Sequence, residues 1–399
     1  MYDAIVVGGR CAGSATAMLL ARQGLKVLIV DQATFPSDVK LSTHLIWHAG
    51  VDLLHKWGLL DAVLATGCPL LKDFSLDMGE LVLRGKPPGT TLDAAIAPRR
   101  IALDKVLIDA AVAAGAELRQ GVSFEDVIKE DGRVVGIHGH LADGGAFTAN
   151  GLIVIGADGT HSRVARAVGA QAYNEHGKDA GSYNTYSYFS GVKVDGVEFY
   201  GRPERMMYAW ETNHGQVLAG LIQPAAMPRV NRADVEQAFY AELEALTPDL
   251  AARLRAGKRE DEWLSAATST FCRQAAGPGW CLVGDAGLTV DPITAAGITN
   301  ALRDADLLGE LINKGLSTQT LDDALSVYQA QRDAVSVPLQ QFAQEMAKLA
   351  PPTEDVIKLF VALAGNQKQI DRYYGVFGQT VTPAEFFGPD NMAQIFAPA

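Results

Sequence analysis

YDAIVVGGRCAGSATAMLLARQGLKVLIVD, residues 2–31, is the stretch that decides the fold. Ala4, Ile5, Val6 and Val7 form an unbroken apolar run, the pattern of a strand buried on both faces. Gly8-Gly9-Arg10-Cys11-Ala12-Gly13 then makes a glycine-rich turn, and residues 14–23 have helical composition until Gly24 stops them. A second apolar run, Val27 to Val30, closes on Asp31. Such a turn lets backbone approach a pyrophosphate, the helix behind it points amides and a positive dipole end at it, and the acid can accept hydrogen bonds from a ribose. Asp31 lies near the ~20-residue spacing expected of that acid. Arg10 stands where G-x-G-x-x-G has its second glycine, so its side chain must point away from phosphates. Read alone, the stretch also fits a purely structural βαβ turn.

Outward from this unit, residues 32–43 read as a loop marked by Pro36, Ser37 and Asp38, and residues 45–64 carry apolar side chains at helical spacing. Strand-like runs follow within residues 70–92. A helix opens at Arg99-Arg100, with Leu103, Val106, Leu107 and Ala110 on one face. Residues 117–122 and 126–141 read as strands with a hairpin turn at Asp131-Gly132. Leu152-Ile153-Val154-Ile155 is a second buried strand, ending in Gly156-Ala157-Asp158-Gly159, and Trp280-Cys281-Leu282-Val283 a third, ending in Gly284-Asp285-Ala286. Between them, residues 180–267 are rich in tyrosine and predict a mainly antiparallel sheet with a single helix at 233–246. A helix begins near Gly297, residues 321–363 are helical in pattern, and the tail from Gly375, with Pro383, Pro389 and Pro398, shows little periodicity.

At 399 residues the chain suggests two intertwined lobes or a domain with an appendage. A hydrophobic content of 48% with 40 glycines and 20% charged residues describes an α/β enzyme. The net charge of −12, without a basic run, speaks against nucleic acid and against an anionic membrane surface as partners. Cys11, Cys68, Cys272 and Cys281 share no C-x-x-C or histidine spacing, so neither a metal site nor a disulfide framework is indicated. A strand begins almost at once and no apolar run approaches the ~20 residues of a bilayer span, so no signal peptide and no integral membrane association are expected, and the cytoplasm is the expected location.

The three glycine motifs, in this order and with Pro292 after the third, resemble the FAD signatures of flavoprotein monooxygenases of the aromatic hydroxylase type and of the related geranylgeranyl reductases and flavin halogenases. The resemblance implies a glutathione-reductase-like, Rossmann-type FAD-binding domain (residues 1–75, 96–175 and 276–330). It is interleaved with an antiparallel β-sheet substrate domain (76–95 and 176–275) and followed by a C-terminal helical region (331–399). It also implies roles. Asp31 would bind the adenosine ribose, with Gln32 beside it, and Gly8, Ala12 and Gly13 would lie along the pyrophosphate. Arg100 would approach the pyrophosphate and ribityl region, Val122 would join the cofactor set, and Asp158 would order the FAD-binding core. Asp285 would bind the ribityl chain, and Ala296, Gly297 and Ile298 would set helix-end amides against the flavin pyrimidine edge, where reduced flavin carries charge. In this sequence Ala295 and Thr299 replace a glycine and an asparagine of the monooxygenase pattern Pro-x-x-Gly-x-Gly-x-Asn.

The reaction the resemblance implies first is hydroxylation of an aromatic or other electron-rich small molecule by O2, through a flavin C4a-hydroperoxide, with NADPH or NADH as a transient reductant. No second G-x-G-x-x-G unit is present to hold that nucleotide. The alternative is reduction of a carbon–carbon double bond, supported by Tyr208-Ala209-Trp210, which resembles the Tyr-x-Trp element of geranylgeranyl reductase pockets without its proline. A non-catalytic flavin-binding protein is a third reading. The halogenase element Trp-x-Trp-x-Ile-Pro is missing. Tyr186, Tyr208 and Trp210 are the expected substrate-pocket residues, and Thr43 and His44 would reach the flavin edge. His44, read as starting a helix with His48 one turn on, is the candidate base because imidazole titrates near neutrality.

Overall fold

The computed structural model describes residues 1–397; Pro398, the last proline of the tail, and Ala399 lie outside the described residues. The opening strand Tyr2–Val7 sits inside a sheet, pairing in parallel with Val27–Asp31 on one side and Ala146–Gly156 on the other. Glu117–Gln120 and Trp280–Leu282 extend the parallel set outward. The continuous apolar run has a simple cause. Ala4 and Val6 pack toward the helices Cys11–Arg22, Arg100–Ala113 and Gly297–Thr318, whereas Ile5 and Val7 face Val122, Phe124 and Val154 beneath the hairpin Val122–Glu130/Arg133–Leu141.

A second, eight-stranded sheet runs Lys258–Arg259, Ser182–Ser190, Val217–Pro224, Arg205–Glu211, Val197–Arg202, Phe74–Asp77 and Val82–Gly85, with Leu264–Ala267 also on Ser182–Ser190. It is antiparallel except where Val197–Arg202 meets Phe74–Asp77 in parallel. Alternation assigns its two faces. Phe189, Met207, Ala209 and Leu221 pack under the helices Val235–Leu246 and Pro248–Ala256. Tyr186, Tyr188, Tyr208 and Trp210 face the other way, onto Leu45, Trp47 and the C-terminal helices.

Three expectations are corrected. The sequence-predicted single helix at 233–246 is followed by a second, Pro248–Ala256, because Pro248 stands at a first helical turn where its missing N–H costs nothing. The stretch 45–64 is two short helices, His48–Lys56 and Leu60–Leu64, separated at Gly58, whose φ of +70° breaks the first. Residues 45–47 precede them in extended form, Ile46 bridging Ile96. The tail is helical: after Gln367–Gly378 come Pro383–Phe387 and Pro389–Ile395. Thr382 and Glu385 form a reciprocal capping box and Phe386 is fully buried, so capping and packing hold helices too short to show a period.

Candidate active site

The loops after the parallel strands leave a cleft of about 690 Å³ at the strands' carboxyl ends. Parallel sheets offer such a crevice at their carboxyl ends, where the strand order reverses direction. Its wall brings together Gly8, Ala12, Asp31, Gln32, Thr43, His44, Arg100, Val122, Asp158, Asp285, Gly297 and Ile298. Gly13 and Ala296 stand just behind the wall. Gly13 is where the turn closes on itself, since a Cβ there would lie 1.8 Å from the Gly8 carbonyl oxygen. Gly8 has a φ of +105° and room for no side chain against Ala157, so the turn presents bare backbone.

The carboxylates divide by what they already hold. Asp31 accepts from the Gly9 amide (2.7 Å) and from Ala33 N (2.8 Å), which fixes the turn to the end of its strand. Asp158 accepts from Ser162 Oγ (2.5 Å) and Arg163 N (2.6 Å), capping the helix Arg163–Val168. Asp285 faces the cleft with only a 3.4 Å contact from Thr160 Oγ1. Crowding by the surrounding cleft walls raises its carboxyl even though the side chain is exposed to the open cleft, opposed by the charge of Arg100 and by Thr160.

Arg100 reaches the wall already engaged. Its Nε and Nη2 donate to both oxygens of Asp104 at 3.1 and 3.0 Å, and Arg10 Nη1 and Cys11 Sγ donate to the same fully buried carboxylate at 3.0 and 3.2 Å. Arg10 therefore points across the turn to the helix Arg100–Ala113, which is how the chain tolerates it in place of glycine. Sequence reasoning missed Asp104, although its i,i+4 spacing from Arg100 is a legible pairing signal. Thr299, noted in the sequence only as a departure from the monooxygenase pattern, accepts from Trp47 N at 2.9 Å through its hydroxyl and ties the loop before Trp47 to the helix Gly297–Thr318.

His44 is corrected in position and in chemistry. It lies in a loop rather than on a helix, with a left-handed φ of +64°, and is only 2% exposed. Its Nε2 meets Tyr188 Oη at 2.5 Å, while Nδ1 is buried without a protein partner. Burial first, then the charges of Arg99 and Arg100, push its pKa well below 6.5, so it does not titrate near neutrality. Tyr188, also missed, shares its sheet face with Tyr186 and lies under Arg99, whose guanidinium carbon is 3.7 Å from the ring centroid. The expected pocket aromatics do not reach the cleft wall. Tyr186 Oη donates to Lys40 O, Trp210 Nε1 to Thr43 O and Tyr208 Oη to Asn184 Oδ1, and Tyr208 stacks on Trp210 at 4.7 Å. Tyr186 and Trp210 brace the back of the 40–44 loop, which covers their face of the sheet in place of solvent.

His48 is not a neighbour of His44 on a helical face. It is fully buried against Phe74, and burial lowers it to about 4. The folded state thus refuses a proton that the unfolded chain accepts near 6.5. Stability is complete above that pH, falls by roughly 1.4 kcal/mol per pH unit below it, and the loss is complete under about 4. Urea midpoints taken from pH 7 to pH 5 should show this decline, with His44 adding in the same direction, and His48→Leu should make it shallower while leaving the His44 part.

All four cysteines are buried and free, and among the described residues no three His, Cys, Asp or Glu side chains converge as a metal site. No helix among them is long and apolar enough to cross a membrane. The chain is 28% identical over 352 residues to a digeranylgeranylglycerophospholipid reductase of Methanocella arvoryzae, covering 85% of each. It is 28% identical over 387 residues to a menaquinone reductase of Mycolicibacterium smegmatis, covering 91% of each. The fold superposes on a flavin-dependent brominase with a TM-score of 0.81 at 18% identity, covering 99% of this chain and 97% of that one. The family profile described as FAD binding domain matches residues 1–343, and with a dinucleotide turn, a closed cradle and a cleft ending on a helix N-terminus already in place, the chain belongs to that family of FAD-dependent oxidoreductases.

Proposed function

We propose that the protein reduces a carbon–carbon double bond of an apolar small molecule, with FAD held in the cleft. Asp31 is assigned to the adenosine ribose, the Gly8–Ala12 backbone and Arg100 to the pyrophosphate, Asp285 to the ribityl chain, and the amides of Gly297 and Ile298 to the flavin pyrimidine edge. When bound and reduced, FAD supplies a hydride equivalent. The protein's own part is to hold the substrate, exclude water and meet developing charge. The observation that carries this reading is His44: a buried imidazole kept neutral by burial and two arginines, its Nε2 tied to Tyr188 Oη, is a poor base for hydroxylating a phenol. The names of the two relatives, both reductases matched along most of their length, support it.

The second reading, hydroxylation with O2, would use the buried, apolar Leu45 beside His44, 1% exposed, to keep water from reactive oxygen species. In either case NADH or NADPH is the assigned external reductant, binding transiently. One experiment separates the two. Dithionite-reduced, FAD-loaded protein mixed anaerobically with a polyprenyl or enone probe should return to oxidised flavin at a rate set by the probe. If reoxidation needs O2, and substrate speeds it only then, the reductase reading falls and hydroxylation stands.

A further inference from the structure

Two of the turns on the cleft wall close neighbouring parallel strands. Ala146–Gly156 runs into residues 158–160 and Trp280–Leu282 into Gly284–Ala286, and the strands themselves pair only as far as Gly156 and Leu282. Beyond that point the direct hydrogen bond between the turns is a long one, from Thr160 Oγ1 to Asp285 Oδ2 at 3.4 Å. What spans them is Arg273, the last residue of the strand Thr270–Arg273. Its Nη1 donates to Ala286 O at 2.8 Å and its Nη2 to Thr160 O at 3.2 Å, one carbonyl from each turn. The guanidinium also lies over the Phe271 ring, 4.0 Å from the centroid. A planar fork suits this task, because donors at a fixed spacing set the spacing of what they hold.

The backbone of Arg273 is held as well. Its amide donates to Gly287 O at 2.8 Å, and Arg332, 1% exposed on the helix Leu321–Ala347, donates from Nη2 to its carbonyl at 2.8 Å. Arg332 has Asp333 at 2.7 Å as a counter-ion. Arg273 has none: both side-chain partners are carbonyls, and no carboxylate pairs with it among the described residues. Burial pulls its pKa below the ordinary guanidinium value, Arg166 acts in the same direction, and Asp158 and Glu175 oppose them through space. A half-buried cation without a counter-ion is held at a cost.

The place of that charge gives the cost a purpose. Both turns abut residues 8–12: Gly8 has no room for a side chain against Ala157, and a Cβ on Gly284 would meet that of Ala12 at 2.7 Å. Arg273 therefore stands one layer of backbone behind the seat assigned to the pyrophosphate. We propose that Arg273 is a positioning residue for the cofactor site: its guanidinium clasps the Asp158 and Asp285 turns at a fixed separation and is counterbalanced by the anionic pyrophosphate when FAD is bound. By taking the two carbonyl oxygens it also keeps them from turning toward an anion. The inference rests on the placement of FAD in the cleft and adds to it a residue from behind the wall.

The test compares the flavin-free full chain with Arg273→Lys, Arg273→Gln and Arg273→Met. In flavin titrations at low salt, Arg273→Met should bind FAD about tenfold more weakly, the scale of one charge acting through a layer of backbone. Arg273→Lys, which keeps the charge without the fork, should recover most of that loss; Arg273→Gln, which keeps donors without the charge, should not. Urea midpoints of the flavin-free chains should differ little between the parent and Arg273→Met, since there the cation has no counter-ion to lose. Inorganic pyrophosphate alone should raise the parent's midpoint more than the variant's. A purely structural strut gives the opposite pattern, a destabilised flavin-free variant whose FAD affinity matches the parent's, and that result would overturn the inference. Equal affinities of the Lys and Gln variants would overturn it too, and this pair decides the matter if Arg273→Met does not fold. A parent chain that takes up no FAD removes the cofactor placement itself, and the inference with it.

Discussion

Urea denaturation of Asp104→Ala should show a protein roughly 3–5 kcal/mol less stable than the parent, the cost of breaking a buried ion cluster by removing one partner. Asp104 is wholly buried and accepts from Arg100 twice, from Arg10 and from Cys11. Its loss strands Arg100, whose side chain is 13% exposed, whereas Arg10 at 30% can turn to water, so most of the penalty falls on Arg100. The freed Arg100 no longer has a fixed place on the cleft wall, and FAD retention should fall with stability. Cys11→Ala deletes only a thiol contact and should cost far less. A loss under about 1 kcal/mol for Asp104→Ala would mean that the two arginines find solvent without it.

Gly13→Ala should separate cofactor binding from folding. A methyl at that position would meet the Gly8 carbonyl oxygen at 1.8 Å, and Ala157 closes the other side at 3.0 Å, so the turn must open by more than the protein interior readily gives. Because the Gly8–Ala12 backbone is the proposed seat of the pyrophosphate, FAD affinity should drop on the order of 100-fold, the scale that a misplacement of about 1 Å exacts at a positioned site. Gly24→Ala is the control. It has a φ of +84° but nothing within 4 Å, so it should cost only backbone strain and leave flavin titrations as they were. Equal flavin affinity in Gly13→Ala and the parent would dissociate the turn from the cofactor.

What could be read from the amino-acid order was whatever is local. The unbroken run Ala4–Val7 announced a strand with two covered faces, Asp131-Gly132 announced a hairpin, and three glycine motifs announced loops that converge on one cleft. The alternation of Tyr186 with Tyr188 and of Tyr208 with Trp210 puts each pair on one side of its strand, but says neither that the pairs share a face nor what would lie on it. The cover is the 40–47 segment and the C-terminal helices, whose placement depends on contacts between residues far apart in sequence. The same limit hid the cluster at Asp104, half of whose donors come from the opening turn. The Thr382–Glu385 capping box was different: its signature stands in the sequence, and its helix is only too short to carry a period.

The edge strand Val82–Gly85 has a consequence for the order in which the molecule can be made. It and its neighbour Phe74–Asp77 emerge from the ribosome long before Val197–Arg202, the strand that joins them to the rest of their sheet. The covering of the outer edge comes later still: Tyr374 Oη donates to Leu83 O across 291 residues, and Gln367 Nε2 to Arg84 O across 283. A nascent chain therefore carries this hairpin without its sheet partner until Val197–Arg202 emerges, and with an uncovered outer edge through most of its synthesis. Unpaired edges are where strands from different chains find one another. Yield from a crowded translation system should then depend on holding that hairpin apart until the last helices arrive, and nicks or truncations near the end of the chain should produce aggregates rather than shortened, soluble protein.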